Sequence, residues 1–223
     1  MLTEETECDK YIALYGGHHF HKLYTAFAST NFLYTDNKNV EIIDWGCGQA
    51  LATCVLIDYL IEKQINPNIV SITLIEPSSI ALWRGYGFVR QILQPNFSTN
   101  STIRTVNKYM DSLDRSDLVS SSGNIKVHLF SNIIDVEGFD LNKLYQLIAN
   151  CFQGVNRIIC TSPQSARNYR LDTFYNLFSQ SWHIKSSFHS SEAIHQEIFN
   201  ILTGKFEIWK IERYERQFRV NFL

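Results

Sequence analysis

Two carboxylates and a pair of glycines are the residues best placed to do chemistry. Residues 40–43 (VEII) read as a short buried strand that ends in Asp44. Trp45-Gly46-Cys47-Gly48-Gln49-Ala50 follows, and then residues 51–62, where apolar side chains recur at helical spacing. Glycine lets main chain approach a ligand, and the start of the helix behind it offers unpaired N–H groups. A second apolar run, residues 69–75, ends in Glu76-Pro77-Ser78. A carboxylate there is acceptor-only and can take two hydroxyl protons at once. The third candidate is Tyr15-Gly16-Gly17-His18-His19-Phe20-His21. Its histidines suggest metal, but no carboxylate or cysteine completes a ligand set beside His18 and His21, so no metal is expected.

A dinucleotide site wants G-x-G-x-x-G or A, with its acidic residue after the second strand. Here Leu51 stands at the third glycine, and Asp44, ahead of the glycines, would repel a pyrophosphate. The stretch instead resembles motif I of the class I S-adenosylmethionine-dependent methyltransferases, D/E-x-G-x-G-x-G, matched at Asp44, Gly46 and Gly48 and broken at Ala50. Glu76 stands where that family's acidic residue accepts the ribose hydroxyls. The resemblance implies S-adenosylmethionine as cofactor and S-adenosylhomocysteine as product. It implies a site drawn from Asp44, Gly46, Cys47, Gly48, Glu76, Pro77, Asp111 and Ser131, with Asp111 toward the adenine. It further implies a cofactor lid in the segment before the first strand, at Tyr15, Gly16, Gly17 and His18, where a Gly-Gly turn would lead into an aromatic helix. Ser131-Asn132-Ile133-Ile134 lacks the prolines of the N/D-P-P-Y/F motif of enzymes that methylate amino groups of bases, which argues against that subgroup.

The resemblance names no methyl acceptor. His18, His19, Asp135 and His128 are conceivable bases, and none is assigned, since His128 sits in an alternating strand and reads as structural. Ser131, Asn132 and Asp135 are positions to watch, because ligands of an open α/β sheet bind outside the carboxyl ends of its strands. Two other classes stay open: a methyltransferase-fold binding module without activity, for which Ala50 and the bulky Trp45 leave room, and a Rossmann oxidoreductase holding NAD or FAD.

The elements that must position these residues alternate. Strands are expected at 40–43, 69–75, 102–106, 125–130 and 155–160. Helices are expected at about 50–63, 79–93, 141–152 and 171–182. Past residue 183 the reading is a strand at 184–187, a helix at 192–202, and a terminal hairpin of 206–213 with 216–222. Residues 1–12 read as a loose arm, and 35–38 as a loop. The fold class is therefore α/β: a Rossmann-like open twisted sheet, mainly parallel with an antiparallel C-terminal edge strand or hairpin, and helices on both faces. The expected division is an arm and helix at 1–38, and the methyltransferase-like domain at 39–223. With 223 residues and 45% hydrophobic content, the chain can bury one sizeable core. Its net charge of −2 gives no global electrostatic case for nucleic acid and does not exclude it. No membrane span or signal peptide is visible, and the five cysteines show neither paired spacing nor C-x-x-C, so a cytoplasmic setting is expected.

Overall fold

The structure, a computed structural model, describes residues 2–29, 38–97 and 100–222. Of the expected loop at 35–38, residues 35–37 lie outside these. Helix α1 (Glu5–Ala28) comes first. Then β1 (Asn39–Trp45), α2 (Leu51–Glu62), β2 (Asn68–Ile75), α3 (Ser79–Leu93), β3 (Thr102–Val106), β4 (Ile125–Ser131), α4 (Leu141–Cys151), β5 (Gly154–Ser162) and α5 (Tyr169–Ser181) alternate. The chain ends in β6 (Ile184–Ser190), β7 (Ile194–Asn200), β8 (Lys205–Ile211) and β9 (Tyr214–Phe222).

Seven strands form one sheet in the order β3-β2-β1-β4-β5-β9-β6. The first five are parallel, and β9 runs antiparallel to both β5 and β6. Successive strand residues feed opposite faces, so the sheet has two cores. Ile42, Leu74 and Leu129 pack with Leu23 and Phe27 of α1, Val55 of α2 and Val89 of α3. Ile43, Trp45 and Phe130 pack with Ile148 of α4 and Phe174 and Phe178 of α5. This is the expected α/β class, an open sheet covered on both faces. Among the described residues no helix is long and apolar enough to cross a membrane.

Four local expectations are corrected. Residues 5–12 are helix rather than a loose arm: Glu4 and Glu7 form a capping box, and Gln49 Nε2 donates to the Cys8 carbonyl at 2.9 Å. Gly16-Gly17 is not a turn but the middle of α1. Gly17 is small because β7 crosses there, where a Cβ would lie 2.6 Å from Ile198 Cγ2. Residues 194–200 are a strand, since their isoleucines pair across a two-stranded hairpin with β8 rather than lining a helix. Finally, β8 does not pair with β9. Phe218 and Val220 are fully buried, and that burial is met by inserting β9 between β5 and β6.

Candidate functional site

The loop after β1 holds three left-handed residues in alternation: Gly46 (φ +62°), Gly48 (φ +53°) and Ala50 (φ +58°). Alanine thus keeps the glycine-like conformation at the position where the motif is broken, at a cost of about 1–2 kcal/mol. Cys47 N–H donates to the Ile75 carbonyl at 2.9 Å, and Ala50 N–H to the Cys47 carbonyl at 2.7 Å, which fixes the loop against the end of β2. Space around it is tight. A Cβ on Gly46 would meet Ile133 Cγ1 at 2.7 Å, and one on Gly85 of α3 would meet the Gln49 carbonyl carbon at 2.8 Å. Trp45 does not crowd the site, because it faces the other core, parallel to Phe130 with ring centroids 5.5 Å apart. Its Nε1 donates to His128 Nδ1, and His128 Nε2 donates to Asn156 Oδ1. Burial pushes His128 down to about 4, so this histidine is a neutral core group.

Asp44 lies beneath the loop, 1% exposed. Its Oδ2 accepts from Thr53 N–H at 3.2 Å and Thr53 Oγ1 at 2.7 Å, at the start of α2, while Oδ1 has no partner. Burial raises its pKa to about 7 against the lowering effect of those bonds. Glu76 lies at the surface of the site. Its two oxygens accept from Gly48 N–H and Ser78 N–H, each at 3.0 Å, and the Asn107 amide holds the Glu76 and Pro77 carbonyls at 2.8 and 2.9 Å.

Two cavities meet at Gly46 and Glu76. One, of about 320 Å³, is lined by Cys47, Gly48, Ser131 and Asn132, with Tyr11 and Ile12 of α1 and Leu2 above them. The other, of about 540 Å³, is lined by Pro77, Tyr109, Met110, Asp111, Ile133 and Phe139. There Asp111 Oδ1 also accepts from Asp140 N–H at 3.1 Å. The structure therefore brings Gly46, Cys47, Gly48, Glu76, Pro77, Asp111 and Ser131 to two adjoining hollows at the carboxyl ends of β1, β2 and β4, with Asp44 behind them. Tyr15 and His18 line neither; they face a third cavity of about 550 Å³. Asp135 accepts from Ser162 Oγ at 2.9 Å. Among the described residues no group of three metal-capable side chains gathers, at His18 and His21 or elsewhere.

Sequence reasoning named His19 and Asn132 singly, as a conceivable base and a position to watch, and missed Tyr11, Lys22 and the network by which α1 joins them. Lys22, 2% exposed, donates to Asn132 Oδ1, and Asn132 Nδ2 donates to His19 Nδ1 at 2.8 Å. His19 Nε2 meets the Tyr11 hydroxyl at 3.0 Å. Because Asn132 turns its oxygen to lysine and its NH₂ to histidine, the His19 proton belongs on Nε2. Asn132 itself is left-handed (φ +57°), a conformation asparagine tolerates, and its N–H is held by the Thr161 carbonyl at 2.8 Å. Burial drives His19 down to about 3 and the Lys22 ammonium to about 7. The available signal was the spacing of 11, 15, 18/19 and 22, one face of a helix once residues 5–12 are helical.

No family model matches the sequence, and no curated protein does. Solved structures match at the level of fold. The precorrin-6y C5,15-methyltransferase of Geobacter metallireducens aligns over 89% of this chain and 86% of its own, with a TM-score of 0.53 at 10% identity. A TehB-like S-adenosylmethionine-dependent methyltransferase of Corynebacterium glutamicum aligns over 91% and 88%, with a TM-score of 0.52 at 11% identity. A protein described as precorrin 8w decarboxylase, from Methanobacterium thermoautotrophicum, aligns over 84% and 85%, with a TM-score of 0.51 at 13% identity. The chain has the class I methyltransferase fold. Structures of that fold carry names for different reactions, so the chemistry has to be argued from the site.

Proposed function

We propose that the chain binds S-adenosylmethionine across the two adjoining cavities and is a methyltransferase. One observation carries this reading. The left-handed Gly46-x-Gly48 loop and the Glu76 carboxylate, from neighbouring strand ends, flank the junction of two hollows that together suit a long, hydroxylated cofactor. The residues present fit that group: a Cβ on Gly46 would disturb the loop, and Glu76 keeps acceptor capacity beyond its two backbone bonds. Glu76 would take the ribose hydroxyls, Pro77 and Asp111 would border the base, and Cys47, Gly48 and Ser131 would border the amino-acid end. Asp44 would act from beneath by holding the loop and the start of α2. When bound, the cofactor supplies an electrophilic methyl group. The protein's part is alignment of the acceptor with that carbon and exclusion of water. The five free cysteines support a cytoplasmic setting.

The test is calorimetric titration of the chain and of Glu76→Gln with S-adenosylmethionine, S-adenosylhomocysteine and NAD. The carboxamide keeps one acceptor oxygen, so the variant loses one charge-assisted bond, about 1.5–3 kcal/mol, and both adenosyl ligands weaken by about tenfold or more. Absence of adenosyl binding by the unaltered chain, or binding of NAD in its place, sinks the proposal.

A further inference from the structure

The third cavity adjoins the first through His19, which lines both. Its apolar walls are Leu14 and Tyr15 of α1, Trp209 and Ile211 of β8, and Pro163 beyond β5, with Tyr15 and Trp209 supplying flat rings. The Trp209 ring stands edge-on to His18 with centroids 5.2 Å apart, and the close crossing at Gly17 seats the hairpin on α1. At about 550 Å³ the space suits a molecule of one or two rings rather than a polymer. Lys22 lines this cavity and Asn132 lines the first one, so their hydrogen bond crosses from one to the other.

We infer that this cavity is the methyl-acceptor pocket, that its occupant is a small planar aromatic molecule bearing a hydroxyl group, and that Lys22 takes the hydroxyl proton. The inference rests on the function proposed above. Flat ring walls select a flat ring, gaining from stacked or edge contacts beyond simple burial. The demand for a base selects the hydroxyl. A neutral amine acceptor already holds its lone pair, whereas a hydroxyl becomes a good nucleophile only as it loses its proton. Of the groups at the junction, His19 has both ring nitrogens engaged and is driven far below neutrality, and Asn132 cannot accept a proton. Lys22 is held near neutrality by burial, partly offset by Asp135 in the segment after β4. The other charged groups lining the cavity are Lys210 and Glu212, with neutral His18 and His19 on Lys22's own helix. In the step, the acceptor O–H bond breaks and its proton passes to the Nζ lone pair. An oxygen–carbon bond forms to the transferred methyl, and the carbon–sulfur bond breaks with its electron pair left on sulfur. Asn132, which orients Lys22, is a positioning residue.

The experiment uses 4-nitrophenol, whose phenolate absorbs in the visible, titrated near pH 7 into the full chain, Lys22→Met and Trp209→Ala. Each is also titrated with S-adenosylmethionine. The expected result is binding with growth of the phenolate band in the unaltered chain. Lys22→Met should lose that band while keeping its cofactor affinity. Trp209 is 38% exposed on the hairpin, so Trp209→Ala remains folded and should bind the phenol several-fold more weakly. No binding, binding without the band, or an unchanged band in Lys22→Met overturns the inference. If Lys22→Met does not fold, unweakened binding by Trp209→Ala overturns it. Phenolate formation without S-adenosylmethionine binding would instead refute the cofactor proposal and with it the methyl-acceptor role, leaving a phenol-binding pocket with Lys22 as its base.

Discussion

Asp44 carries a charge question that can be answered without any ligand. Its carboxyl is fully buried, one oxygen is unpartnered, and its pKa is raised to about 7 from an ordinary 3.8. A raised folded-state pKa means that the native protein holds a proton the unfolded chain has released. That stability is fully present below pH 3.8 and is lost as pH rises through 7. Between pH 5.5 and pH 8 the loss from this one group comes to about 2 kcal/mol. The carboxamide of an Asp44→Asn variant would keep an oxygen for the Thr53 bonds and cannot ionise. Urea denaturation of both chains at pH 5.5 and 8 should therefore show the unaltered protein losing about 2 kcal/mol more than the variant across that interval, whatever the variant's absolute stability. Titrations elsewhere cancel in the comparison. An equal pH dependence in the two chains would refute the reasoning and imply that Asp44 is ionised and solvated throughout.

Two glycine pairs test the packing around the loop. Gly85→Ala and Gly87→Ala lie in the same helix, where alanine ordinarily gains about 1 kcal/mol over glycine. A Cβ on Gly87 meets nothing within 4 Å, so its Tm should rise, while one on Gly85 comes within 2.9 Å of Ala50 Cβ, an overpacking cost of about 1–3 kcal/mol that outweighs the helix gain, so its Tm should fall. Thermal melts that move the same way in both variants would contradict this. Gly46→Ala and Gly48→Ala share the left-handed penalty of about 1–2 kcal/mol, but only the first also collides, with Ile133. Titration with S-adenosylmethionine should find Gly46→Ala the weaker binder of the two, and the reverse order would count against the loop as the cofactor contact.

What could be read in the sequence is what local rules govern. Asp44-x-Gly46-x-Gly48 and Glu76 announced themselves because a strand end, a left-handed turn and a helix start each impose residue types within a few positions. The alternation of strands and helices through β5 follows from the same periodicities, and with it the α/β class. Legibility failed where the decisive contact is distant in sequence. The glycine pair itself reads as a turn ahead of the aromatic helix; what favours glycine inside a continuous helix is a strand from the far end of the chain, with Ile198 filling the space a side chain would take. The acidic start of α1 reads as solvated, yet Cys8 is fully buried, Gln49 holds its carbonyl, and Arg84 pairs with Asp9 at 2.5 Å. The β7–β8 hairpin was hidden because β9 satisfies its burial against β5 and β6, leaving β8 to pair backward. These misses have one consequence for function. With residues 5–12 taken as an arm, Tyr15 and His19 stand out as a possible lid and a conceivable base, but nothing joins them to Tyr11 and Lys22. Once the helix extends to Glu5, they fall on one face, and that face meets the strand ends that the glycine motif had already marked. The half of the site proposed to hold the cofactor was thus written in short motifs, and the half proposed to choose an acceptor was written in tertiary packing.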